Sequence, residues 1–135
     1  MDTEKLNDYS RTVYQLLVKD YPRWVRFMKN MPGHEESLVM RVRSAVSPKK
    51  YVIVSTHNRE ISVAFDYFHD HFGLGDMTPK GHYRAAKHLI DCIIADEILV
   101  ATKFDAEGRW ESSTTIHVDD FEEGEIGRAS CRERV

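Results

Sequence analysis

The residues best able to do chemistry gather in one short run, Asp66-Tyr67-Phe68-His69-Asp70-His71. On a continuous strand His69 and His71 share one face, so two imidazoles could be offered to a metal ion. Asp66 and His71 would then face opposite sides. A metal would need a third ligand, and His57, His82 or Asp76 could supply one only through folding. The same His–Asp group could act as a general base, but no activated nucleophile stands beside it in the sequence. Ser112, Ser113, Thr114 and Thr115 offer hydroxyls without the sharp Gly-X-Ser-X-Gly turn of a hydrolase. Gly73-Leu74-Gly75 lacks the third glycine and the Gly-Lys-Ser/Thr pattern of a phosphate loop. No catalytic residue and no cofactor is therefore assigned, and the chain is expected not to be an enzyme.

The elements that must position these residues follow from periodicity. Leu6, Tyr9, Val13, Leu16 and Leu17 fall at helical spacing, which predicts a first helix from about Asp2 or Thr3 to Lys19. Pro22 opens a short second helix with Tyr21, Trp24, Val25 and Met28 on one face, ended by Pro32-Gly33. Alternation predicts strands over Ser37–Val46, Tyr51–Thr56 and Glu60–Phe68, with Asn58 in a left-handed turn between the last two. A loop over Asp70–Thr78 leads to a helix over Pro79–Asp96, started by Thr78-Pro79 and striped with Ala85, Ala86, Leu89, Ile90, Ile93 and Ile94. Glu97–Phe104 and Trp110–Val118 then pair as a hairpin across Asp105-Ala106-Glu107-Gly108. The expected fold is α+β: a five-stranded, mainly antiparallel sheet, with the long helix on one face and the N-terminal helices on that face or at an edge.

Composition bounds the function. The 135 residues suit one domain, and 41% hydrophobic with 30% charged residues is ordinary for a globular chain. No apolar run approaches the roughly 18 residues of a membrane span, and the N-terminus is polar, so a cytoplasmic protein with no membrane partner is expected. Ile126–Val135 back-translates to a string resembling a common short-read sequencing adapter, so residues 126–135 are set aside as a non-native read-through tail after a domain of residues 1–125. Removing its three arginines and one glutamate takes the formal charge from −3 to −5. Cys92 is then the lone cysteine, expected as a small buried hydrophobe.

Basic residues at Arg23, Arg26, Lys29, Arg41, Arg43, Lys49 and Lys50 read as solvated faces. The balance is acidic and no groove-reading motif appears, so nucleic acid is not an expected partner. Asp119, Asp120, Glu122, Glu123 and Glu125 put five carboxylates in seven residues, a run that can attract a basic protein partner. Trp110, flanked by Arg109 and Glu111, is a candidate surface anchor.

ISVAFDYFHDHFG, the helix ending LIDCIIADE, and ILVATKFDAEGRWESSTTI together resemble small bacterial immunity-type proteins encoded beside polymorphic toxins of the Rhs, contact-dependent or type VI secretion kind. The likeness covers about residues 35–118 and rests on aromatics, histidines and a Gly-Arg-Trp hairpin. It implies a cytosolic protein that binds and blocks one cognate toxin domain. Asp66, His69, Asp70, His71, Trp110, Glu111, Asp119, Asp120, Glu122 and Glu123 are the expected partner surface. A metal-binding protein using His69 and His71, and a homodimer paired through a sheet edge, are the alternatives.

Overall fold

The computed structural model describes residues 1–43, 50–73, 77–95, 97–117, 119 and 131–134. The chain divides into two compact units, Met1–Leu89 and Ile90–Val135.

The first unit opens with a 3-10 turn, Thr3–Lys5, capped by the Asp2 side chain. Helix α1, Asp8–Asp20, follows; the Asn7 side chain accepts the Ser10 N–H at its start. The expected first helix is thus two elements, because Asn7 is a second capping residue and Leu6 turns into the core between them. Pro22–Phe27 is a 3-10 helix, and strand β1, Met28–Met31, begins where a continued helix was expected. The remaining strands are β2 (His34–Arg43), β3 (Tyr51–Ser55), β4 (Ile61–Phe65) and β5 (Phe68–Phe72). A 3-10 turn, His57–Arg59, joins β3 to β4. The five strands form one sheet in chain order, every neighbouring pair antiparallel.

Alternation decides what this sheet buries. Cross-strand partners share a face, and the row Met28, Met40, Val54, Val63 runs from β1 to β4 through partnered positions. All four are buried, as are Leu38, Val52, Ile61 and Phe65. Helix α1 contacts β2 and buries Tyr9, Ser10, Val13 and Leu17. Its Ser10 hydroxyl bonds Thr56 Oγ1 at 2.6 Å, inside the core.

Helix α2, Pro79–Ile94, carries the boundary between the units. In the first unit its hydrogen bonds run to α1: Tyr9 Oη to His82 Nδ1 at 2.8 Å, and Tyr83 Oη donating to Asp20 Oδ2 at 2.7 Å. No described helix is long and apolar enough to cross a membrane.

The second unit holds β6 (Ile98–Phe104), β7 (Trp110–His117) and β8 (Cys131–Arg134), ordered β7-β6-β8. The α+β class and a five-stranded antiparallel sheet are therefore observed, but the strands are not those expected. The β6–β7 hairpin lies in a sheet of its own, and β1 and β5 complete the five. The expected strand Glu60–Phe68 reverses at Asp66-Tyr67, where Asp66 adopts φ 51°. A short polar side chain tolerates that left-handed conformation. Residues 131–134, within the segment set aside as read-through, pair with β6 through backbone groups. Any extended segment can satisfy an open sheet edge in that way.

Candidate functional site

Among the described residues, three groups of side chains have the composition of a site, and each lies within one unit. The first is the expected one. His69 and His71 alternate on β5 and do share a face, their ring centroids 5.2 Å apart and near-perpendicular. Opposite them on β4 stand Ala64 and Ser62. Ser62 Oγ lies 2.6 Å from His71 Nδ1, and Glu60 Oε1 lies 3.2 Å from the same nitrogen. Among the described residues no third metal ligand joins the pair. His57 and His82, named as possible third ligands, lie elsewhere in the unit, and Asp76 is outside the described residues.

Asp70 points to the other face, paired with Val63 at the end of the buried row. It is exposed there, and a charge on an edge strand resists pairing with a further strand. Its Oδ1 accepts the His71 N–H at 2.8 Å. Asp66 and Tyr67 form the turn, and Tyr67 is 48% exposed.

Trp110, Glu111 and Asp119 belong to the second unit. Trp110 is half exposed, and its Nε1 donates to Ser113 Oγ at 2.8 Å. Glu111 already faces Lys103 across the hairpin at 3.4 Å. Asp119 Oδ2 is 3.6 Å from His117 Nδ1. Asp120, Glu122 and Glu123 lie outside the described residues. The loop that presents Trp110 is held by Asp105. Its Oδ1 accepts the backbone N–H groups of Glu107 and Arg109, each at 2.9 Å, and Arg109 Nε reaches Oδ2 at 3.1 Å. The bond from the Arg109 N–H leads in holding the Asp105 carboxyl below the usual carboxylate range.

The second group is Cys92, Glu97 and His117, whose ligand atoms lie within 4.8 Å of one another. Cys92 is buried, as expected. Burial, then the neighbouring Glu97 charge, pushes its thiol up, so it is protonated at neutral pH and not an activated nucleophile. Both His117 nitrogens have protein partners: Nε2 faces Glu97 Oε2 at 3.4 Å, and Nδ1 accepts the Asp119 N–H at 3.2 Å. That is the pattern of a satisfied structural histidine. Register could have located this group, because Ile98 pairs with His117 and so brings Glu97 to the end of β7.

The third group is His34, Glu36 and His57, again with ligand atoms within 4.8 Å. His34 and Glu36 lie two residues apart on β2, a spacing that places them on one face. Sequence reading missed them because the strand was expected to begin only at Ser37. His57 comes from the β3–β4 turn, its ring centroid 4.3 Å from that of His34.

Beside α1 the first unit also has a cleft of about 340 Å³ lined by Asn7, Asp8, Tyr9, Thr12, Arg59 and Pro79. Burial chiefly, with the Glu60 charge, pushes the Tyr9 hydroxyl up to about 12. It serves there as a neutral hydrogen-bond partner of His82. On the sheet, Arg41 stacks on the Tyr51 ring at 3.6 Å, and Arg43 donates to the Tyr51 hydroxyl at 3.2 Å. That bond holds the phenol below its ordinary range. With Arg26 over the Phe27 ring at 4.8 Å, three of the basic residues expected as solvated faces have an aromatic partner.

Comparison with protein-family models, with curated proteins and with solved structures finds no match for this chain.

Proposed function

We propose that this chain is a non-enzymatic binding protein, and that its partner is a toxin domain which it neutralises as an immunity protein. The observation that carries the reading is the β4–β5 hairpin. β5 is the last strand of its sheet; Tyr67 at its turn and His69 and His71 on one face are exposed, as is Asp70 on the opposite face of the same edge. An exposed aromatic beside imidazoles and carboxylates is the composition of a protein interface. Trp110, in the other unit, is likewise half exposed.

In this reading the aromatic rings enter pockets on the toxin, and the carboxylates set orientation and speed docking on a basic surface. Blocking is steric, so no bond is made or broken by this chain. The test is co-expression with a toxin domain encoded by a neighbouring gene. Protection of the cells, a co-purifying one-to-one complex, and loss of that complex in Tyr67→Ala or His69→Ala are expected. Toxicity unrelieved by the wild-type chain, with no complex recovered, ends the proposal. A symmetric dimer in solution that survives addition of the toxin domain would favour the homodimer instead.

A further inference from the structure

We propose that His34, Glu36 and His57 form a binding site for a divalent cation of the zinc class, at the junction of β2 with the β3–β4 turn. The inference is independent of the binding-protein reading and uses none of its residues.

The chemistry of the set points to this ion. Two imidazoles and one carboxylate are borderline nitrogen and oxygen donors that zinc accepts, with a fourth position left for water. His34 Nδ1 and Glu36 Oε1 are 3.8 Å apart, and His34, Glu36 and His57 each offer a ligand atom within 4.8 Å of those of the other two. Tetrahedral bonds of about 2.0–2.1 Å place zinc ligands roughly 3.3 Å from each other. Closing that difference needs only side-chain rotation, and His34 and Glu36 are half-exposed and able to rotate.

The backbone beneath is fixed. The Glu36 carbonyl accepts the Asn7 N–H at 3.0 Å, and the Leu38 carbonyl accepts the Thr56 N–H at 3.1 Å. Thr56 Oγ1 in turn accepts the Leu38 N–H at 2.9 Å, so the residue before His57 is tied twice to β2. Alternation sends Glu35 the other way, where it pairs with Lys5 at 3.0 Å and leaves the His34 face to its own group.

Two further observations mark the junction. His57 Nδ1 is shut off from water and has no hydrogen-bond partner. A buried polar atom of that kind calls for an explanation, of which a bound ion is one. The residues after it, Asn58 and Arg59, both adopt φ 57°. Consecutive non-glycine residues in the left-handed region are costly and gather where a side chain must be aimed. Here they turn the chain so that the His57 ring is held against that of His34. A metal between the rings would give the strain a purpose.

The experiment is calorimetric titration of the full chain with zinc chloride, paired with cobalt(II) absorption to read ligand type and geometry. One equivalent is expected, with the visible bands of a four-coordinate cobalt site. His34→Ala, Glu36→Gln and His57→Ala should each weaken binding by about tenfold or more, since loss of a direct ligand costs at least as much as loss of its supporting partner. Zinc should raise the thermal midpoint of the wild-type chain but not of these variants. His34 and Glu36 are exposed on a strand, so their variants retain the fold by circular dichroism and keep the test decisive if His57→Ala does not. No binding by the wild-type chain overturns the proposal. So does binding unchanged in His34→Ala, or binding abolished by the double variant His69→Ala/His71→Ala or by Cys92→Ser.

Discussion

Two histidine pairs occupy the same unit and differ in how they arise. His69 and His71 are neighbours on one strand, at the edge of the sheet, and any extended backbone would bring them together. His34 and His57 come from different strands' ends and meet because the chain leaves β3 through a strained turn. The local pair faces solvent, with Ser62 and Glu60 beside one ring. Both pairs have a carboxylate near one ring, but only in the distant pair do ligand atoms of both rings and the carboxylate converge within 4.8 Å, and there a buried nitrogen is left without a partner. Strand spacing alone yields two ligands; a third needs a crossing of the chain, and that crossing must be held by the core.

The strongest way to break this contrast is to cut what holds the crossing. Thr56 is fully buried and its hydroxyl meets both the Leu38 N–H and the Ser10 hydroxyl. Thr56→Val keeps the shape and strands both partners in the core, which should cost about 2–4 kcal/mol. Thermal or urea denaturation reads that loss, and zinc affinity should fall with it because His57 is the next residue. A loss below about 1 kcal/mol would mean the junction is held some other way.

A smaller effect is expected at Tyr9, beneath the same turn. Tyr9→Phe removes the hydroxyl from His82, whose Nε2 already lacks a partner, at a cost of about 1–2 kcal/mol. The variant also has a signature in pH. The folded Tyr9 value stands near 12 against the ordinary 10, so the folded state holds its proton more tightly than the unfolded chain. Its contribution is complete below about pH 10 and is lost as pH rises toward 12, a decline of order 2 kcal/mol. Tyr9→Phe should flatten that decline in denaturation midpoints measured across the window; an unchanged slope would show that Tyr9 ionises as freely folded as unfolded.

The smallest effect belongs to the local pair. His69→Ala/His71→Ala removes exposed side chains from an edge strand and should shift stability by no more than about 0.5 kcal/mol. A loss several times larger, read by the same denaturation, would show that the edge histidines support the sheet and would erase the distinction drawn between the pairs.

The hairpins show what was legible. Gly108, with φ 80°, marks the β6–β7 turn in the sequence, and its strands end within a residue of the expected bounds. The β4–β5 turn carries no glycine or asparagine. Asp66 takes the left-handed position instead, and the alternation on either side reads as one longer strand. β1 was hidden for a different reason. Tyr21, Trp24, Val25 and Met28 have helical spacing, yet Met28 is buried by pairing opposite Met40, a partner twelve residues away. The expected surface of Asp66, His69, Asp70, His71, Trp110 and Glu111 is exposed throughout, but His34, Glu36 and His57 converge from a strand end and a turn that periodicity does not resolve.

The amino-acid order by itself determined the α+β class, the helix after Pro79, the buried Cys92 and the last hairpin. Each follows from local period, capping or turn chemistry, which act over a few residues. Only the tertiary structure decided which strands share a sheet and which side chains converge. Register is settled by burying one face against a core assembled from distant segments, and a window of neighbouring residues does not contain that information.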